Sequence, residues 1–167
     1  MFKKIALLAL LIIPVCGFSQ SSLKIGYFNY AEVLELMPET AQLRDSIQKQ
    51  AAIFDEELKN MEGEYQKKYT AYMEQQDTLD ESIKIRRQQE IVDMGQRAQN
   101  FQQHAQQSQE SLYNSLMAGI QEKLQKAVQQ VGADNGFTYI VEINSMWYVS
   151  SQVTDATPLV KQKLGIQ

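Results

Sequence analysis

Cysteine and histidine are almost missing from this chain, with one of each at Cys16 and His104. A single cysteine builds no disulfide framework, although an exported chain is not obliged to have one. Structural and catalytic zinc sites need three or four converging ligands, and one cysteine with one histidine does not point to a metal site. No glycine-rich phosphate loop occurs, and no Ser/His/Asp order suggests a nucleophilic triad. Glutamate and aspartate are plentiful, but on helices they fall on solvated faces, so paired carboxylates carry no catalytic signal. The expectation is a non-enzyme without a cofactor. Positive charge is also scarce: 16 basic residues stand against 20 acidic ones, a net charge of −4. No general affinity for nucleic acid follows from that balance. The one long apolar run, Ile5 to Val15, is shorter than the roughly 20 residues of a membrane-spanning helix.

That run has a different reading. Lys3 and Lys4 precede it, and Gly17, Phe18 and Ser19 put small residues at −3 and −1 of a cut before Gln20. Residues 1–20 therefore read as a signal peptide, with the cut placed to within one residue. Cys16 could alternatively carry a lipid, but Ile13-Pro14-Val15-Cys16 sets a bulky Val15 where a small residue is usual, so Cys16 is read as lost with the leader. Without Lys3 and Lys4, 14 basic residues face 20 acidic ones, and the mature charge becomes −6.

What the chain has in quantity is helical seam. Ile91, Met94, Ala98, Phe101, Ala105, Ser108 and Leu112 recur in alternating steps of 3 and 4 on an otherwise polar, glutamine-rich background. This is a heptad stripe too narrow to bury itself, and it needs a partner helix. Upstream, Ile47, Phe54 and Met61 repeat every seven residues, and Ala51, Leu58, Tyr65 and Tyr72 interleave with them. Only Gly63 opposes a helix between Glu39 and Gln76. The rhythm lapses at 76–82, which is polar and rich in helix-capping residues. Two seamed helices joined by a short turn predict an antiparallel coiled-coil hairpin over residues 39–133. From Leu112 the steps become 4, 4, 4 through Leu116, Ile120 and Leu124, as expected where the second helix leaves its partner and packs on a body.

The flanks predict that body. Leu23 to Phe28 alternates like a strand, and Asn29 with Glu32 resembles a capping box for a short helix that Pro38 ends. Gly136 suits a left-handed helix stop. Phe137–Ile143 is the strongest strand, apolar on both faces and expected to be covered on both. Asn144-Ser145 would turn it into a hairpin whose other arm is Met146–Val149, with Trp147 buried there. Thr157-Pro158 reads as a cap and first residue of a last helix closing at Gly165. The fold class is thus α+β: a small body of about three strands from residues 21–38 and 134–167, with the helical hairpin inserted. About fifty residues make a marginal core for a monomer, so self-association through the body is expected, with Ile25, Phe137, Ile140, Val141, Ile143 and Trp147 as candidate oligomer core.

Four residues near the arm's tip are candidate contacts for an apolar partner. Tyr65 and Tyr72 lie on the seam and serve packing equally well; Tyr69 and Met73 lie off it. The run from Gln96 to Gln109 reads as a solvated face rather than an inner wall, and His104 on it as exposed.

The two ends also carry a family resemblance. Lys24-Ile25-Gly26-Tyr27-Phe28-Asn29, followed by a short helix, resembles the mature start of the Skp/OmpH family of periplasmic chaperones. The C-terminal half is similar as well, through Ala127-Val128, Gly136-Phe137, Ile140-Val141-Glu142, Trp147-Tyr148-Val149-Ser150-Ser151 and Asp155-Ala156-Thr157. The order and spacing match from Leu23 to Leu164, the middle only in length and heptad habit. The resemblance implies a homotrimer whose hairpins project around a cavity, acting without ATP as a periplasmic holdase for unfolded outer-membrane proteins. Some members are strongly basic; here residues 39–93 hold 13 acidic against 8 basic residues, so binding of lipopolysaccharide or membrane is not carried over. The competing reading is a coiled-coil spacer or adaptor of the cell envelope.

Overall fold

The computed structural model describes residues 23–166. The expected leader, its cut site and Cys16 lie outside them. The elements in order are β1 (Ile25–Phe28), α1 (Tyr30–Leu36), α2 (Pro38–Gln75), α3 (Glu81–Asp134), β2 (Tyr139–Glu142), a 3₁₀ turn (Ile143–Ser145), β3 (Thr154–Asp155) and α4 (Thr157–Leu164).

The helix boundaries follow local chemistry. Asn29 Oδ1 accepts the Glu32 N–H at 3.1 Å and opens α1, a cap of about 1 kcal/mol. The reciprocal half of the capping box is diverted. The Asn29 N–H goes to Thr157 Oγ1 at 3.0 Å, and the Glu32 carboxylate pairs with Lys161. Both ends of the chain are tied together by this one turn. Pro38 both ends α1 and starts α2, because the extended backbone of Met37 separates them and Pro38 needs no intrahelical N–H at the first position. At the end of α3, Gly136 adopts φ +66°, and the Phe137 N–H reaches Gly132 O at 3.0 Å, a Schellman stop.

The arm is an antiparallel pair. Gln50 meets Ser108, Phe54 meets Phe101, Lys68 meets Glu90, and Tyr72 meets Gln88, so positions climb one helix as they descend the other. The turn is Gln76–Asp80, inside the expected window. Every residue of the Ile91–Leu112 seam is buried or half-buried, while most of the glutamines between, and His104, are exposed. With 54 residues, α3 is longer than α2, with 38, and it extends roughly 80 Å at 1.5 Å per residue. Its last turns leave the seam and enter the body. There Ile120, Leu124 and Val131 join Phe28, Val33, Met37, Leu43 and Val160 in one buried cluster. The drift to steps of four marks that transfer.

The sheet departs from expectation. Its order is β2-β1-β3, and both pairings are parallel, with Ile25 opposite Tyr139 and Tyr27 opposite Asp155. The strand expected over Phe137–Ile143 is only Tyr139–Glu142, and Met146–Val149 forms no strand. The cause is local. Glu142 takes the Ser145 N–H at 2.9 Å and the Asn144 side-chain amide at 2.7 Å, while Ser145 Oγ donates to Glu142 O at 2.6 Å. That knot closes a 3₁₀ turn instead of a hairpin. The chain then crosses to the other edge of β1, where the Ala156 N–H donates to Tyr27 O at 2.7 Å. Trp147, expected inside a hairpin, is fully exposed. Thr157 is not the cap but the first residue of α4; Asp155 Oδ1 accepts its N–H at 2.9 Å.

Candidate functional site

Two surfaces concentrate apolar side chains in contact with solvent: the arm near its tip and the outer face of the sheet.

On the arm, the four candidates separate by their place on α2. Tyr72 is buried in the seam, and its phenol oxygen accepts from Gln88 Nε2 at 2.7 Å. Tyr65 is half-buried, its ring 3.8 Å from where a side chain on Gly95 would begin. Tyr69 stacks on Tyr65, with ring centroids 6.1 Å apart and planes 8° from parallel. Tyr69 and Met73 are both exposed, 43% and 44%. The structure therefore assigns Tyr72 to packing and leaves Tyr69 and Met73 available, with Tyr65 as the platform beneath Tyr69. The sequence reading missed Ile85 and Val92, both exposed on α3 and seven residues apart on one face. Their signal was present: apolar residues off the seam in a helix whose other off-seam positions are mostly polar. Ile85 borders a cleft of ≈ 930 Å³ between the helices, together with Met61 and Met94, and its walls carry Lys68, Glu90 and Arg97. An apolar floor with mixed-charge walls suits extended segments of varied sequence.

Two ion pairs brace the arm across its helices. Lys68 meets Glu90 at 2.7 Å near the tip, and Lys123 meets Glu39 at the root. Hydrogen bonds from these lysines hold both glutamates below the ordinary value of 4.5, and at Glu39 the backbone adds to the effect. A carboxylate with a lowered folded-state pKa contributes stability above its unfolded value, and the contribution fades as pH falls through the folded one. Thermal melts should therefore be insensitive to pH near neutrality, where the pairs contribute in full, and should lose melting temperature below pH 4.5. The double variant Glu39→Gln/Glu90→Gln should show a shallower acid decline by circular dichroism. An equally steep decline would mean that the pairs brace nothing. Exposed pairs of this kind are screened, so the effect is small.

On the body, strand alternation sorts the residues. Phe28 points inward and is buried. Gly26, two residues before it, lies on the same side, and Phe137 packs against it: a Cβ there would sit 2.7 Å from the Phe137 ring. Lys24 Nζ lies 4.2 Å from the centroid of that ring, a cation–π contact. Phe137 and Ile140 pack against the chain's own core cluster. Ile25, Tyr27, Tyr139 and Val141 occupy the opposite face by register, and Tyr139 is 61% exposed. Ile143 is half-buried in the 3₁₀ turn. Next to it, Met146, Trp147 and Tyr148 are exposed in sequence. Of the six candidate oligomer-core residues, Ile25, Val141 and Trp147 are thus the outward ones, and Tyr139 and Tyr148 join them. The outer sheet face, expected to be covered, is open in the single chain.

Among the described residues, no cluster of His, Cys, Asp or Glu could hold a metal ion, and no helix is long and apolar enough to cross a membrane.

A small parallel sheet carrying a long helical hairpin is a body-and-arm architecture. The profile of the family described as "Outer membrane protein (OmpH-like)" matches residues 24–164, and the chain belongs to that family. Its fold is similar to the crystal structure of a candidate OmpH-like outer membrane chaperone from Caulobacter crescentus CB15. The TM-score is 0.75 at 12% identity, over 84% of this chain and 82% of that one. No curated protein sequence matches the chain.

Proposed function

We propose that this chain is an ATP-independent periplasmic holdase that binds unfolded outer-membrane proteins between the helical arms of a homotrimer. One observation carries the reading. A body whose outer sheet face is open and apolar also bears a long arm with Tyr69, Met73, Ile85 and Val92 exposed near its tip. The open face supplies a reason to assemble, and the arm supplies a surface for clients. Family membership and the expected leader support a place in the periplasm. Binding rather than catalysis is the proposed activity. The acidic mature chain gives no reason to add nucleic acid, lipopolysaccharide or membrane as partners. An envelope spacer would have little use for apolar groups along a solvated arm.

Clients of this kind are held weakly at many points, so no one residue dominates. Replacing Tyr69 and Met73 with Ser removes about 1 kcal/mol of apolar contact each, which together should raise the concentration needed for half-suppression of aggregation by up to about thirtyfold. The measurement is light scattering of a denatured outer-membrane β-barrel protein diluted into the mature chaperone. Undiminished suppression would remove this patch from the client surface. A wild-type chain that neither trimerises nor slows aggregation would overturn the proposal itself.

A further inference from the structure

Methionine sulfur is distributed unevenly over this molecule. Met37 is buried in the core, and Met61, Met94 and Met117 are half-buried along the arm. Among the described residues of the arm, Met73 is the one methionine fully open to solvent. Met146 is exposed as well, but on the body beside Trp147. Met73 follows Tyr69 by four residues, which sets the two side by side on α2. The Tyr72–Gln88 contact brings Met73 close to the level of Ile85 on α3. Its thioether therefore sits among the exposed apolar groups of the tip. Next to it stands a donor. The Gln76 side-chain amide donates to Met73 O at 3.4 Å and lies 3.9 Å from Met73 Sδ. With Cys16 read as lost in the leader, thioethers are the only sulfur left in the mature chain.

We infer that Met73 is an oxidation site whose reversible sulfoxide lowers the arm's hold on apolar clients. The inference rests on the holdase reading above. The oxidant is a hydroperoxide, of which hydrogen peroxide is the simplest. The Met73 sulfur lone pair attacks one peroxide oxygen; the S–O bond forms and the O–O bond breaks. The other oxygen takes up the proton and leaves as water, so sulfur loses two electrons and the peroxide gains them. The product is polar and chiral where the thioether was apolar. A thioether is a weak acceptor, whereas the sulfoxide oxygen is a strong one. In one of the two epimers that oxygen points at the Gln76 amide, which is already in place to donate to it. An apolar client segment would then have to cover a hydrated dipole in the middle of its contact. The buried and half-buried methionines escape at the same dose because the peroxide reaches them less readily. Methionine sulfoxide reductases, one for each epimer, restore the thioether.

Titrating the full mature chain with hydrogen peroxide tests the inference. Peptide mass spectrometry should show Met73 gaining one oxygen before Met61, Met94 and Met117, with Met37 last. At the dose that oxidises Met73, the concentration for half-suppression of aggregation should rise about fivefold, with helix content unchanged by circular dichroism. Treatment with both reductases should reverse the rise. Met73→Leu, compared with its own untreated sample, should show no rise. Met73→Gln, polar at the same place, should show the weaker hold without peroxide. Oxidation of Met73 no sooner than Met37 would overturn the inference, as would equal peroxide sensitivity in Met73→Leu. An active wild type indifferent to the sulfoxide would overturn this inference alone. An untreated wild type that suppresses nothing would overturn the holdase reading and this inference with it.

Discussion

Replacing Tyr139 and Trp147 with Ser should turn the proposed trimer into a folded monomer. Strand alternation sets Ile25, Tyr27, Tyr139 and Val141 on one side of the sheet. Nothing within the chain covers that side well: Tyr139 is 61% exposed, and Trp147 nearby in sequence is fully exposed. In addition, β2 is an edge strand with a free row of backbone groups, a template for pairing with another chain. Burying an aromatic side chain contributes about 2 kcal/mol, and aromatic anchors dominate most interfaces. Losing two per interface should weaken each contact roughly a hundred- to a thousandfold. Size-exclusion chromatography with light scattering reads the mass, and circular dichroism should show unchanged helix content. A variant that keeps the wild-type mass would place the interface elsewhere. A wild-type chain already monomeric would remove the trimer from the proposal.

The second large effect concerns a missing side chain. Gly26 lies in the central strand, where valine is ordinarily favoured. Here Gly26→Val should instead destabilise the body. A Cβ at 26 would lie 2.7 and 3.0 Å from two atoms of the Phe137 ring and 3.3 Å from Thr154 O. The ring has little freedom to retreat, because Phe137 follows the Schellman turn at Gly136 and sits against Lys24. The Thr154 carbonyl belongs to β3, so yielding on that side would loosen the sheet. Overpacking of this kind costs about 1–3 kcal/mol, and the branched second methyls place valine at the upper end. Gly63 provides the contrast. It sits in α2 with nothing within 4 Å of its would-be Cβ, so Gly63→Ala should stabilise by about 0.5–1 kcal/mol. Denaturant unfolding of the two variants measures both. Equal stability of Gly26→Val and wild type would mean that the ring moves freely.

The arm was legible in the sequence because a heptad is a local, repeated constraint. Twelve or more seam positions point the same way, and one error among them changes nothing. Even the exit of α3 into the body was visible in the steps from Leu112 to Leu124. The sheet was harder because its decisive contacts are single ones. Asn144-Ser145 suits a hairpin turn, but Glu142 lies two positions before Asn144, and its carboxylate takes two nearby donors and closes a 3₁₀ turn. Nothing local marks Thr154–Asp155 as a strand either; it pairs because the second edge of β1 is vacant. Trp147 was misplaced for the same reason, since its burial was inferred from a hairpin that does not form. On the arm, heptad phase separated buried Tyr72 from exposed Tyr69 and Met73. It gave no weight to Ile85 and Val92, which lie off the stripe.

The parallel pairing of β1 with β2 has a kinetic consequence. Ile25 finds Tyr139 only across about two-thirds of the chain, and joining such distant residues in a free coil is slow. The arm shortens that search. Once α2 and α3 zip together, Glu39 and Lys123 are already in contact at its root, so the ends that make the sheet are delivered side by side. Loop-closure entropy is then met by short helical steps rather than by one long excursion. Refolding speed should consequently depend on how fast the hairpin zips and little on how long it is, since each added heptad brings local contacts of its own. The strut that shapes the molecule is also the route by which its two halves find each other.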